Sequence, residues 1–205
     1  LVSFLNFKYL NDEKTLGSIL FSLNPKYGSS NWGGEILTKR FDSSFKLGYV
    51  NPNIPYQSIG FQLSYSSHDQ DSYYGARIYD INQKSIFSNI IYNTIITNSR
   101  NKIKLGLNYS HDNYDEILSQ KSYSDIIQRK DNSTGVFFEY SYDNFTNLNL
   151  VAGLRYDSHN NMGSFFTPRL HFRYSIAPRF SLKGSFGTGR RISNVLTENL
   201  QVFVT

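Results

Sequence analysis

The sequence predicts an all-β fold: an antiparallel up-and-down transmembrane β-barrel segment of about ten strands. Three observations carry this reading. Apolar and polar residues alternate with period two in segment after segment, which places successive side chains on opposite faces of a sheet. Short and long links between those segments alternate along the chain. The composition is rich in aromatics, with 16 Tyr and 16 Phe among 205 residues, and no segment shows helical periodicity with caps.

The elements follow in order. Strands are expected at 1–9, 15–23, 35–50, 58–67, 83–96, 102–111, 135–142, 148–157, 166–175 and 180–188. The third-from-last region is typical: Leu148, Leu150, Ala152, Leu154 and Tyr156 point one way, and Asn149, Val151, Gly153, Arg155 and Asp157 the other. The split is cleanest where Leu170, Phe172 and Tyr174 oppose Arg169, His171, Arg173 and Ser175. Val136, Phe138, Tyr140 and Tyr142 form one such face, and Ile103, Leu105, Leu107 and Tyr109 another. Short links are expected at Leu10–Lys14, Asn51–Gln57, Thr97–Asn101, Asp143–Asn147 and Ile176–Arg179. Longer ones are expected at Asn24–Gly34, His68–Asn82, Asp112–Thr134 and Ser158–Phe165. A meander with tight turns at one end and long loops at the other gives this order, as in outer-membrane barrels. Greek-key connections of a soluble sandwich mix lengths at both ends.

Composition removes several classes. There is no cysteine, so neither a disulfide framework nor a thiolate site is available. A mean hydropathy of -0.43 and the lack of any long apolar run exclude a helical membrane protein. The net charge of +5 is dilute, with Arg190-Arg191 after Lys183 as its basic cluster and Lys39-Arg40 as a weaker pair. Nucleic-acid binders concentrate basic residues on one face or tail, so no nucleic-acid partner is expected.

The face opposite the apolar one carries Glu139, Arg155, Arg169, Arg173 and Lys183. A barrel wall with lipid outside and a wet lumen inside has this character. A soluble barrel or sandwich would produce the same local alternation. The aromatics favour the membrane: Tyr65, Tyr92, Tyr109, Tyr140, Tyr142, Tyr156 and Tyr174 lie near strand ends. Their apolar rings and polar tips suit a bilayer interface.

A family resemblance rests on specific runs. Ser164-Phe-Phe-Thr-Pro-Arg-Leu-His-Phe-Arg173, preceded by Val151-Ala-Gly-Leu-Arg-Tyr-Asp157, resembles two consecutive strands of TonB-dependent outer-membrane receptors. Leu182–Asn199, with its glycines followed by Arg190-Arg191, is similar to the strand that follows in that family. Ser58-Ile-Gly-Phe-Gln62, His68–Gly75 and Asp112–Glu116 also resemble it. The resemblance covers about Gly34 to Asn199. It implies a barrel of twenty-two strands plugged by an N-terminal domain. It also implies import of scarce nutrients such as ferric siderophores, metal chelates or cobalamin, driven by TonB. Its partners would be outer-membrane lipid, the plug and TonB. Neither a plug nor a TonB box is visible in residues 1–205, and Gln201–Thr205 does not read as the terminal aromatic strand expected of such barrels. Residues 1–205 are therefore expected to be an internal part of the barrel domain.

Candidate sites are of two kinds. His68, Asp69 and Asp71, with Tyr73, Tyr74 and Tyr79, are placed in one outward loop. His111, Asp115 and Glu116, beside Asp112 and with Tyr114 and Tyr123, are placed in another. Imidazole beside carboxylates suits several divalent ions. A solvated polar loop explains the same residues, and no closed metal-site motif is present. Tyrosines could grip a bulky ligand or hold the loops together. Arg155, Arg169 and Arg173 share the face read as lumenal, where they would meet an anionic ligand or the acids of a plug or neighbouring strand. Gly184, Gly187 and Gly189 lack the following helix and Gly-Lys-Ser/Thr ending of a phosphate cradle. No catalytic residues, metal or cofactor are expected. The leading function is active transport across a Gram-negative outer membrane. The alternatives are a small self-contained barrel with a structural or adhesion role, and a soluble all-β carbohydrate-active protein.

Overall fold

Each strand pairs with its neighbours in sequence, giving one antiparallel sheet whose strand order is the chain order. The computed structural model describes residues 1–23, 27, 30–120, 123–191 and 198. The strands are β1 (Val2–Gly17), β2 (Gly33–Val50), β3 (Ser58–Tyr74), β4 (Arg77–Ile95), β5 (Asn101–Gln120), β6 (Tyr123–Asp143), β7 (Leu148–His159), β8 (Gly163–Ala177) and β9 (Phe180–Gly187). A short helix α1 (Ile19–Leu23) lies between β1 and β2. Pairing runs without a register shift from β1 to β8, and one irregularity falls at Ser175/Ala177 between β8 and β9. The sheet is open, because β1 and β9 each pair on one side only.

Register fixes the faces, since cross-strand partners point the same way. Phe61, Ile90, Leu107, Val136, Tyr156 and Phe166 stand in one row. Lys104, Glu139, Gly153 and Arg169 stand in a row on the other face. Nothing covers the apolar face: Phe138, Leu154 and Phe172 are 43%, 48% and 37% exposed. A sandwich core would bury all three against a second layer. The apolar band runs from Ile59 to Tyr65 on β3 and from Leu148 to Tyr156 on β7. At the usual rise per residue these spans are about 20 to 27 Å long. A bilayer's hydrocarbon requires that scale of a tilted strand. The opposite face is mixed rather than uniformly polar: Phe87, Ile91 and Phe137 sit among its charges. Phe137 lies flat across Gly106, where any Cβ would overlap its ring.

Among the described residues the strand count is nine, and the difference lies at the hairpins. The expected strands 1–9 and 15–23 and the link Leu10–Lys14 resolve into β1 followed by α1. Asn11, Asp12, Glu13 and Lys14 pair directly with Lys39, Thr38, Leu37 and Ile36. The expected loops His68–Asn82 and Asp112–Thr134 are mostly strand as well. They form the ends of β3, β4, β5 and β6, joined by tight tips such as Tyr74-Gly75-Ala76, with Gly75 at φ +62°. Beyond the band the uncovered face turns largely polar, so the alternation that marks the band stops there and a strand reads as a loop. The long link before β8 is similarly short, with Gly163 at φ 69°. Gln201–Thr205 and the end of the Leu182–Asn199 motif lie outside the described residues.

At the opposite end the expected turns are present, and asparagine side chains build them. Asn144 Oδ1 accepts from the backbone N–H groups of Thr146, Asn147 and Leu148 at 3.0, 3.0 and 2.9 Å. Asn98 and Asn51 do the same for Arg100 and Asn53. Asn and Asp favour such turns because a short side chain replaces a backbone acceptor.

An open sheet with two unpaired edges and one uncovered apolar face should associate in water. Residues 1–205 produced alone are expected to precipitate or form large aggregates without detergent. Sedimentation or scattering that found a cooperative, detergent-free monomer would refute the membrane-facing reading of the apolar side.

Candidate functional site

The strands' period of two puts residues i and i+2 on one face, and the polar face uses this repeatedly. Arg40-Phe-Asp42, Arg129-Lys-Asp131 and Arg155-Tyr-Asp157 each place an arginine and an aspartate side by side there. Arg40 Nε lies 2.9 Å from Asp42 Oδ2. Arg155 donates from Nε and Nη2 to both oxygens of Asp157, each at 2.6 Å. Arg129 Nε is 3.0 Å from Asp131 Oδ2, and its guanidinium stacks 4.3 Å from the Tyr114 ring centre. Lower on this face Glu139 accepts from Lys104 at 2.9 Å and also pairs with Arg169. These pairs recur across the wall, so much of its charge is locally neutralised. The signal was present in sequence as the Arg-x-Asp spacing, which strand periodicity makes a same-face pair.

Two of these pairs line a concavity of about 460 Å³, together with Asp112, Tyr114, His159 and Arg190. Ser85 donates to Asp112 at 2.5 Å, and Asn161 donates to Asp131 at 2.6 Å. Gly135 makes room for the Asp157 carboxylate and the Asn108 amide to approach, since a Cβ there would overlap both. Asn108 is buried, and among the described residues its Oδ1 and that of its cross-strand neighbour Asn89 have no hydrogen-bond donor.

Nearer the hairpin tips the same face becomes apolar. Tyr74, Tyr79 and Ile81 form a small core, joined by Leu16, Ile36, Tyr114 and Leu118. Tyr79 and Glu116 are both 2% exposed, and the phenol donates to Glu116 Oε1 at 2.8 Å. These residues lie beyond the apolar band. Burial raises the phenol pKa of Tyr79, and the Glu116 carboxylate raises it further. Burial likewise raises that of Tyr114.

The residues singled out from sequence lie in strands rather than loops. Register divides them between two faces. His68, Tyr74 and Glu116 point to the ion-paired face, with His68 opposite Arg40. Asp69, Asp71, Tyr73, His111 and Asp115 point to the other. Each histidine is thus separated from the carboxylate next to it in sequence. Among the described residues no group of three or more His, Asp or Glu is close enough to hold a metal ion. Tyr73 packs edge-on against Phe21 of α1 and against Tyr27, at 6.4 and 5.6 Å. Arg155 and Arg169 are held by acids of the sheet itself, whereas Arg173 stands opposite Asn149 and Lys183.

A family model for the β-barrel of TonB-dependent receptor-like proteins matches residues 3–199. The chain belongs to that family. No curated protein matches it. Two solved structures share the fold. The ferric citrate transporter FecA, in its unliganded form, is similar over 90% of this chain with a TM-score of 0.59 and 14% identity. The siderophore receptor PiuA from Acinetobacter baumannii is similar over 90% of this chain with a TM-score of 0.63 and 12% identity. The chain spans 33% and 39% of their lengths. Nine neighbouring strands of a receptor barrel account for the single layer, the chain-order pairing and the open edges together.

The buried Tyr79–Glu116 contact generates a test. Y79F removes a donor from a buried carboxylate and should cost about 1–2 kcal/mol. In the folded receptor this would raise the rate of protease cutting at the β3–β6 tips about 5- to 30-fold. The folded phenol's pKa lies above that of an unfolded tyrosine. Its contribution is therefore complete below the ordinary phenol value near 10 and declines as pH rises beyond it. Cutting at the tips should accelerate above that pH in the native receptor and much less in Y79F. Equal pH profiles would refute the assignment.

Proposed function

We propose that this chain is part of the barrel wall of an outer-membrane active transporter in a Gram-negative bacterium. The complete protein binds a scarce nutrient outside the cell and imports it with energy supplied through TonB. The carrying observation is family membership over residues 3–199, joined to a wall with an uncovered apolar band on one face and ion pairs on the other. A ferric siderophore, another metal chelate or a cobalamin-like ligand is the class of cargo. The names of the two structural neighbours, a ferric citrate transporter and a siderophore receptor, are in line with iron chelates.

In this reading the apolar band meets lipid, the ion-paired face borders the lumen, and the hairpin tips project outside. Residues 1–205 form one part of the barrel domain, and a plug fills the lumen. Arg155, Arg169 and Arg173 face that plug. Arg173 is the most available of the three, since Asp157 and Glu139 already engage the others. The orphaned carbonyls of Asn89 and Asn108 would take donors from the plug. The upper concavity beside Tyr114, Arg129 and Arg190 would take the ligand on its way in. His68, Asp69, Asp71, Tyr73, Tyr74, His111, Asp115 and Glu116 stand around the projecting hairpins. Of those on the lumenal face, His68 is the better placed for ligand contact, because Tyr74 and Glu116 are buried in the core near the tips. No chemical conversion is part of this function.

Uptake of radiolabelled ferric chelates and cobalamin by cells making the full receptor tests the proposal. Accumulation should be lost on deletion of TonB while binding at the cell surface persists. Uptake of the same size without TonB would refute energy coupling, and fractionation outside the outer membrane would refute the localisation.

A further inference from the structure

Along β5 to β9 the ion-paired face changes in charge from its hairpin end to its turn end. The row of Gly106, Phe137, Arg155 and Thr167 divides the two. In the concavity on the hairpin side, Asp112, Asp131 and Asp157 match Arg129, Arg155 and Arg190. Toward the turns the same face carries five cations, Lys102, Lys104, Arg169, Arg173 and Lys183. Among the described residues only two carboxylates stand with them, Glu139 and Asp143.

Both acids are already engaged. Glu139 is shared between Lys104, at 2.9 Å, and Arg169. Asp143 holds its turn together, accepting from the Phe145 backbone N–H at 2.7 Å and from Asn149 Nδ2 at 3.1 Å. Lys102, Arg173 and Lys183 are exposed, and among the described residues none of the three forms an ion pair. Arg173 and Lys183 are also direct cross-strand partners, and like charges so placed repel. Beside them a hollow of about 730 Å³ opens between the turn after β6 and the turn after β8. Its polar lining is Arg173, Arg179, Ser175, Ser181, Thr146 and Asn147, without a carboxylate among the described residues.

We propose that Lys102, Arg173 and Lys183, with Arg179, form an anion station at the turn end of the lumenal face, and that the cargo is a chelate of net negative charge. Charge complementarity selects this occupant. A guanidinium presents a planar fork to carboxylate or catecholate oxygens, and lysine adds a point charge on a flexible stem. Elsewhere on this face a cation finds its acid on its own strand or a near one. Three cations left without a fixed acid suit an anion that comes and goes. The balanced outer concavity exerts little pull on such an anion, whereas the turn end attracts it and raises its local concentration. Once a plug shifts, these side chains face the opened path, and the charge difference favours inward travel. The station deepens the transport reading proposed above and rests on it.

The test measures surface binding and initial uptake rate in cells making the full receptor. The probes are ferric citrate and a ferric tris-catecholate as anions, with a ferric trihydroxamate and cyanocobalamin as uncharged molecules. The native receptor should accumulate an anionic probe. The variant K102Q/R173Q/K183Q should bind that probe at the surface as the native receptor does and take it up about tenfold more slowly. The charge-conserving variant K102R/R173K/K183R should restore the rate. Heat-modifiability on gels confirms folded barrels, and R173Q alone replaces a triple variant that does not fold, read in the same way. Native uptake confined to uncharged probes, an unchanged rate in the glutamine variant, or an equal loss in the charge-conserving variant would overturn the station while leaving the transport reading intact. A glutamine variant that admits vancomycin would assign these cations to holding the plug, and would also overturn it. Accumulation of no probe, or accumulation without TonB, would overturn the transport reading itself.

Discussion

The backbone's demand for hydrogen bonds in a medium without water governs this structure. In hydrocarbon an unpaired N–H or C=O costs several kcal/mol, so a spanning sheet must satisfy every one through its neighbours. Between β1 and β9 the ladder does so with the simplest topology, each strand paired to the next in the chain, and only the outer edges of β1 and β9 are left open. Pairing in register across seven interfaces also locks every side chain to a face. The two-sided chemistry of the wall is thus a consequence of the ladder. A slip by one residue on β5 would turn Leu105 inward and Lys104 toward lipid.

That dependence explains what was legible in the sequence. Inside the bilayer the two faces meet opposite solvents, so Arg169–Ser175 alternates without exception and Leu148–Asp157 does so apart from Val151. The turns at Asn51, Asn98 and Asn144 are equally readable, because a turn needs a local acceptor and asparagine supplies it. Above the bilayer the constraint vanishes. Asn11-Asp12-Glu13-Lys14 is a run of four polar residues inside an uninterrupted strand, and His68–Asp71 is another. A largely polar outer side, with a small apolar core on the inner one, breaks the pattern while the ladder continues, so extended hairpins look like loops.

The candidate site was legible in part for the same reason. Arg155, Arg169 and Arg173 emerge from alternation within the band. Their partners required a second rule, that strand neighbours i and i+2 share a face. This rule converts Arg-x-Asp from a chance spacing into an ion pair at positions 40–42, 129–131 and 155–157. The separation of His68 from Asp69, and of His111 from Asp112, follows from that rule as well. Once the hairpins are known to be strands, residues adjacent in sequence cannot converge on one ion. What sequence did not carry is the small core of Tyr74, Tyr79 and Ile81, whose members lie on three strand positions joined only by register.

The in-strand ion pairs bear on how such a wall could work. A lumen whose cations were matched only by acids on a plug would be left with unpaired buried charge whenever the plug shifted, at a cost of several kcal/mol per group. Here Arg40, Arg129 and Arg155 find their acids two residues away on the same strand, and Glu139 is held by cations from β5 and β8. At these positions the wall balances its own charge whatever faces it. In the proposed transporter the contacts left for a plug would be neutral amides such as Asn89 and Asn108 and the cations without an ion pair, among them Lys102, Arg173 and Lys183. Neutral hydrogen bonds exchange with water at a net cost near 1 kcal/mol. In the proposed transporter, neutral contacts of that kind would grip a plug weakly at each point and release it in small steps.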